Sequence, residues 1–247
     1  MFVTTQSKRP SERGFTLVEL AIVMVIIGLL IGGVLKGQEL IANARVTGTV
    51  ADLKNTDAAI NGFLDKYAGL PGDIATPNTR IGNCTTAPCN RAGNVNSRIE
   101  QSAGSNPATF PVANTESGAM FPQLAAADMI SGINGTGGAV FGGIYPALKI
   151  GGGMWVSYLS TITGPPTNLA ANRHYASMNG VAGNITATNG VMTGLQAAQI
   201  DRKIDDGRPN TGTVQTVGTG CKNNNTPTGT YTEIGGGTCA SYMRVLN

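Results

Sequence analysis

From Phe15 to Leu35 the chain is apolar at nearly every position, and Glu19 is the one acid in the run. As a helix this stretch spans about 31 Å, enough to cross the hydrocarbon core of a bilayer. The pattern then changes. Val46, Val50, Leu53, Ile60, Leu64 and Tyr67 recur at helical spacing, with Asp52, Lys54, Asn55 and Asp65 between them. That spacing predicts that the helix continues with one apolar and one wet face, for about 80 Å from Phe15 to Tyr67. The outer half should pack on the chain's own globular domain. The inner half has no such partner within one subunit, so packing against other subunits accounts for it better. Gly28, Gly32, Gly33 and Gly37 interrupt the helix. Each weakens it by about 1 kcal/mol relative to alanine, which marks a stretch able to bend or to let helices approach closely.

After Tyr67 the helical period stops. Gly69-Leu70-Pro71-Gly72-Asp73 places Pro and Gly at the central positions of a type II turn. A loop poor in apolar residues follows over Thr76–Pro111, then a second helix over Glu116–Ile130 with Pro122 in its first turn or breaking it. Short β-branched and aromatic runs between Gly-rich turns predict strands at Ala139–Tyr145, Met154–Ile162, Arg173–Ser177, Val181–Thr188, Thr213–Val217, Thr230–Ile234 and Ser241–Leu246. A third helix fits Leu195–Ile204. The expected class is α+β, an antiparallel sheet packed on the outer half of a long helix.

The apolar run is preceded by Lys8, Arg9 and Arg13 against Glu12, with no apolar stretch of its own. A secretory signal places its apolar core before the cut. Here the core follows Gly14, so the segment is read as retained, with its basic end cytoplasmic. A carboxylate inside such a segment costs about 2.5–3.5 kcal/mol at the centre of a helix and less near an end, so Glu19 needs a partner. Cleavage after Gly14 would supply one, because the new Phe15 amine is protonated at neutral pH. It could pair with Glu19 of its own chain or of a neighbour.

Gly14-Phe15-Thr16-Leu17-Val18-Glu19 resembles the leader junction of type IV pilin precursors, a family that includes the pseudopilins of type II secretion. The resemblance implies a pilin-like fold and cleavage after Gly14 by a membrane aspartyl prepilin peptidase. It also implies N-methylation of Phe15 and an assembly role for Glu19. The domain map it suggests is a leader at 1–14, a membrane and assembly half-helix at 15–35, an exposed half-helix at 36–67 and a globular domain at 68–247. Expected partners are copies of itself, other pilin-like subunits, the peptidase and an inner-membrane assembly platform. The expected location is the bacterial inner membrane, single-pass, then a periplasmic or extracellular filament. Lys36 stands where many pilins carry a proline. Tyr67, Leu70-Pro71-Gly72-Asp73 and Lys203-Ile204-Asp205-Asp206-Gly207 also resemble elements that recur in a subset of pilin-like proteins, the last with no role assigned.

Composition adds limits. Charged residues make up 13% of the chain and the net charge is +3, most of it in the leader. No basic patch points to a dedicated nucleic-acid site. Cys84 and Cys89 are close in sequence, and Cys221 and Cys239 enclose a Gly/Asn/Thr-rich loop. An even count in an exported chain favours disulfides. Local pairing is expected on proximity alone, and the second pair resembles the bounded C-terminal loop of many pilins. Closing that loop would contribute about 3 kcal/mol. The rival is a four-thiolate zinc site, which lacks the usual Cys-x2-Cys spacing. Asp201, Asp205 and Asp206 are calcium candidates, but Lys203 stands where an EF-hand would place an oxygen ligand, so a helix end and turn is the preferred reading. No other cofactor is expected. His174 is the only histidine, and no nucleophile–base–acid set is visible, so an enzyme is not expected. Two function classes remain: a structural subunit of a type IV pilus or type II secretion pseudopilus, and a membrane-anchored or minor-pilin adhesin. The size of the domain leans toward the pilus or a minor subunit.

Overall fold

A computed structural model describes residues 14–101, 112–135, 138–160, 169–180 and 190–246. Its elements are α1 (Leu17–Tyr67), α2 (Pro77–Arg80), α3 (Glu116–Ala126), β1 (Gly153–Leu159), β2 (Arg173–Asn179), α4 (Gly194–Ile204), β3 (Val214–Val217) and β4 (Ala240–Val245). The chain divides into two compact units, Met1–Asn43 and Ala44–Asn247, with the division inside α1.

In the described part of the first unit, α1 is unbroken across its glycines. A Cβ at Gly28, Gly32, Gly33 or Gly37 would meet nothing within 4 Å. Phe15, Leu17, Ile22, Leu29, Leu35 and the other large apolar side chains here are all exposed. One exposed ion pair, Lys36 to Glu39 at 2.7 Å, sits at the polar break in the run.

In the second unit α1 buries Val46, Thr49, Val50, Leu53, Thr56, Ala59, Ile60 and Phe63. Steps of three and four residues keep these on one face. Leu64, expected on that face, is exposed, and Phe63 takes its place. The face joins one core with Trp155, Val156, Ala176, Met178, Met243 and Val245 of the sheet. The sheet is antiparallel throughout, in the order β1-β2-β4-β3. Its register sets Tyr158 opposite His174, His174 opposite Val245, and Tyr175 opposite Arg244. The long helix and four-stranded sheet make this an α+β, pilin-like architecture.

Three expectations are corrected. Pro122 lies well inside α3 and does not break it. The helix is buried from Glu116 to Leu124 and capped by Thr115, whose hydroxyl accepts the Gly118 N–H at 3.0 Å, so packing outweighs the lost backbone bond. α3 ends at Ala126 and not Ile130, because Asp128 turns left-handed (φ 60) and the Met129 N–H bonds back to the Leu124 carbonyl at 3.0 Å. Ala139–Tyr145 and Thr230–Ile234 hold only isolated bridges, Phe141 to Tyr145 and Lys222 to Tyr231. Gly142 (φ 81) folds the first run on itself, and in the second only Tyr231 is buried while Ile234 is 93% exposed, too little of an inward face for a strand. The expected strand Val181–Thr188 and the end of Met154–Ile162 lie outside the described residues.

The turn after α1 has the expected form. The Asp73 N–H bonds the Leu70 carbonyl at 3.0 Å, and Gly72 has φ 92. A Cβ at Gly72 would press into the backbone of Glu116. Gly72→Ala should therefore destabilise the second unit by about 2 kcal/mol through strain and displaced backbone together. Thermal unfolding followed by the fluorescence of Trp155, the single tryptophan, checks this. An unchanged midpoint would refute it.

Candidate functional site

The N-terminal site is built on the first turn of α1. Thr16 precedes the helix and its carbonyl accepts the Leu20 N–H at 3.2 Å, opening the helical ladder. The Thr16 N–H and hydroxyl both donate to Glu19 Oε2 at 2.9 Å, and the Glu19 N–H donates to Thr16 Oγ1 at 3.2 Å. This is a reciprocal capping box, in which a hydroxyl and a carboxylate three residues apart satisfy each other's backbone. Glu19 is thus held over the helix N-terminus, where partial positive charge favours a carboxylate. Gly14 and Phe15 lie just before this turn, and the Phe15 side chain is 89% exposed. The geometry gathers an exposed peptide bond, a small residue before it and an acid one turn later at the mouth of an apolar helix.

Residues 9–35 match the family described as the prokaryotic N-terminal methylation motif, the mark of type IV pilin and pseudopilin precursors. The chain carries the prepilin signature. Comparison with curated proteins and with solved structures gave no match. The prepilin motif defines substrates of prepilin peptidase that assemble with other pilin subunits, and its family is structural. Together with the apolar start of α1 it fits membrane anchoring.

The remaining candidate site residues lie in the second unit. Asp73 is buried and accepts the Ser97 N–H at 2.7 Å and the Val95 N–H on its other oxygen. Glu116 accepts the N–H groups of Asn94 and Glu100 at 3.0 and 2.9 Å. These two acids hold the 94–100 loop, which gives Leu70-Pro71-Gly72-Asp73 a structural role. Cys84 is joined to Cys89 and Cys221 to Cys239, with Cα separations of 5.2 and 5.6 Å.

Asp201, Asp205 and Asp206 converge at the end of α4, with carboxylate oxygens within 4.8 Å of one another. Each already accepts hydrogen bonds from its own surroundings. Asp201 takes the Tyr231 hydroxyl at 2.8 Å and the Gly207 N–H at 3.2 Å. Asp205 takes the Thr213 and Val214 N–H groups, and Asp206 takes the Arg208 N–H and the Thr211 hydroxyl. That is the arrangement of a helix stop and turn, and it supplies a role for Lys203–Gly207. Burial pushes the Asp201 carboxyl up to about 7, helped by the charges of Asp206 and Asp205 and opposed by the Tyr231 and Gly207 hydrogen bonds.

His174 is buried, and its Nε2 accepts the Ile99 N–H at 3.1 Å. Burial, with the nearby Arg98 charge, pushes it down to about 4, so it stays neutral. Beside it lie Arg98, Arg173 and Arg244, which sequence spacing did not group. Strand register places Arg173 and Arg244 at one end of the sheet, and the Ile99–His174 hydrogen bond holds the loop that carries Arg98 beside them.

Proposed function

We propose that the chain is a prepilin cut after Gly14, N-methylated at Phe15 and assembled as a structural subunit of a type IV pilus or type II secretion pseudopilus. Before assembly, residues 15–35 cross the inner membrane once with the leader cytoplasmic, and the globular domain lies outside. No enzymatic role is needed for this work. The observation that carries the reading is Glu19, an acid held by the capping box at the mouth of an otherwise apolar, exposed helix. Cleavage places a charged amine beside the Thr16 N–H that Glu19 already accepts. An incoming subunit's Glu19 can then pair with the amine of its neighbour, so the lone carboxylate becomes a compensated charge and axial register is set. Exposed apolar side chains on the same helix supply the contact surface between subunits.

The test is the mass of the intact protein and of its N-terminal peptide from the native membrane fraction. The expected result is a start at N-methyl-Phe15 with both cysteine pairs oxidised. A protein that still begins at Met1 would overturn the reading and leave a permanently anchored domain.

A further inference from the structure

We propose that the hollow at one end of the sheet binds an acidic sugar unit of an anionic glycan. The inference does not rest on the filament reading. β1 ends, β2 begins and β4 ends at the same edge of the sheet, because Leu159 pairs with Arg173 and His174 with Val245. These ends, with the 96–98 loop, enclose a hollow of about 510 Å³ lined by Arg98, Arg173, Arg244, Tyr158, Asn172 and Asn96 among others. That volume falls within the range of small-ligand sites.

The cations are poorly compensated. Arg244 Nε is buried and makes no hydrogen bond among the described residues. Arg173 spends one guanidinium nitrogen on the Asn172 carbonyl, at 3.1 Å. Arg98 lies over the Tyr158 ring, 4.7 Å from its centroid, and meets Glu100 only at 3.9 Å. Glu100 is also engaged by the Asn94 and Asn96 amides at 3.3 and 3.1 Å. Among the described residues, no carboxylate side chain lines the hollow. A buried guanidinium N–H without an acceptor is costly, and planar guanidiniums match carboxylate oxygens in pairs.

The neutral lining narrows the class. The Tyr158 hydroxyl donates to Asn172 Oδ1 at 3.0 Å, which fixes the amide so that its N–H groups remain as donors. Ser97 and Asn96 add further polar groups on the rim. Three guanidiniums for an acid, amides and a hydroxyl for ring hydroxyls, and one aromatic ring suit a uronic or sialic acid. A nucleic-acid strand requires a basic track along the surface, and this site is a single hollow in a chain with 13% charged residues.

The experiment titrates the full chain in detergent micelles by calorimetry. The probes are an oligogalacturonate, its methyl-esterified form, a sialylated trisaccharide and single-stranded DNA. Binding of at least one acidic sugar is expected, with the oligogalacturonate and sialylated probes separating uronic from sialic recognition. Arg244→Gln and the exposed Arg98→Gln should each weaken it about tenfold, the loss of one charged hydrogen bond. Retained Trp155 fluorescence shows that these variants are folded. Failure of both acidic sugars to bind, equal binding of the ester and its acid, DNA binding in place of sugar, or wild-type affinity in folded Arg98→Gln would each overturn the proposal.

Discussion

Replacing Glu19 with alanine should leave cleavage after Gly14 intact and remove the subunit from filaments. In the proposed reading the peptidase cuts the Gly14–Phe15 bond, whereas the Glu19 carboxylate sits one turn into the helix, bonded to Thr16. Alanine is the best helix former, so the apolar helix persists. Two things are lost, the capping box and the negative charge, and a second variant separates them. Glutamine suits the same capping position and can accept the Thr16 N–H, but it carries no charge to pair with the Phe15 amine. If charge pairing drives assembly, Glu19→Gln fails as Glu19→Ala does. The loss of about 3 kcal/mol at each added subunit corresponds to a fall of about a hundredfold in incorporation. If the cap alone mattered, glutamine would restore assembly. The measurement is the ratio of filament to membrane pool for each variant, beside the mass of the mature N-terminus. Normal filaments from Glu19→Gln would refute the pairing mechanism.

How much was legible depended on whether the physics was local. The apolar run, the acid within it and the glycine before it lie within one short segment, so the prepilin signature could be read directly. The type II turn at Pro71-Gly72 was equally local, since its two residues dictate its backbone. The outer stripe of α1 was read with one slip at Leu64, where adjacent Phe63 and Leu64 compete for one face and only packing decides. Pro122 misled because propensity describes an isolated helix, and α3 is almost wholly buried. The false strands share a cause: β-branched content makes a strand only where a partner offers a full edge, and Gly142 or an exposed Ile234 prevents that. The arginine hollow and the support of the 94–100 loop by Asp73 and Glu116 had no sequence signal. Their members are far apart in the chain, and strand register or a closed loop brings them together.

Asp201 and His174 should leave opposite marks on the pH dependence of stability. Asp201 has a folded value of about 7 against an ordinary 3.8, because burial disfavours its charge. Between these values the folded state holds more protons than the unfolded, so stability is greatest below about pH 4 and falls as pH rises to about 7. His174 has a folded value of about 4 against an ordinary 6.5, again through burial and with Arg98 adding to it. Here the unfolded state holds more protons, so stability is full above about pH 6.5 and falls as pH drops toward 4. The two windows overlap and their slopes cancel in large part. The full amplitudes are about 4 kcal/mol for Asp201 and about 3 kcal/mol for His174.

Single variants therefore uncover what the wild type hides. Asp201→Asn mimics the neutral acid, because the amide can donate to the Tyr231 hydroxyl while that hydroxyl turns its proton to Thr216, 3.0 Å away, and onward to Ser241 at 2.7 Å. Its stability should rise with pH between 4 and 6.5, driven by His174 alone, and exceed the wild type at pH 8. His174→Gln keeps an acceptor for the Ile99 N–H and should show the reverse slope, falling from pH 4 to 7. The double variant should be flat across the range, apart from smaller slopes of the Asp201 sign from Asp52 and Glu116, both raised chiefly by burial. Denaturant unfolding of the full chain in micelles, read by Trp155 fluorescence at half-unit pH steps, gives all four curves. Curves parallel to the wild type would show that neither group titrates differently in the folded domain.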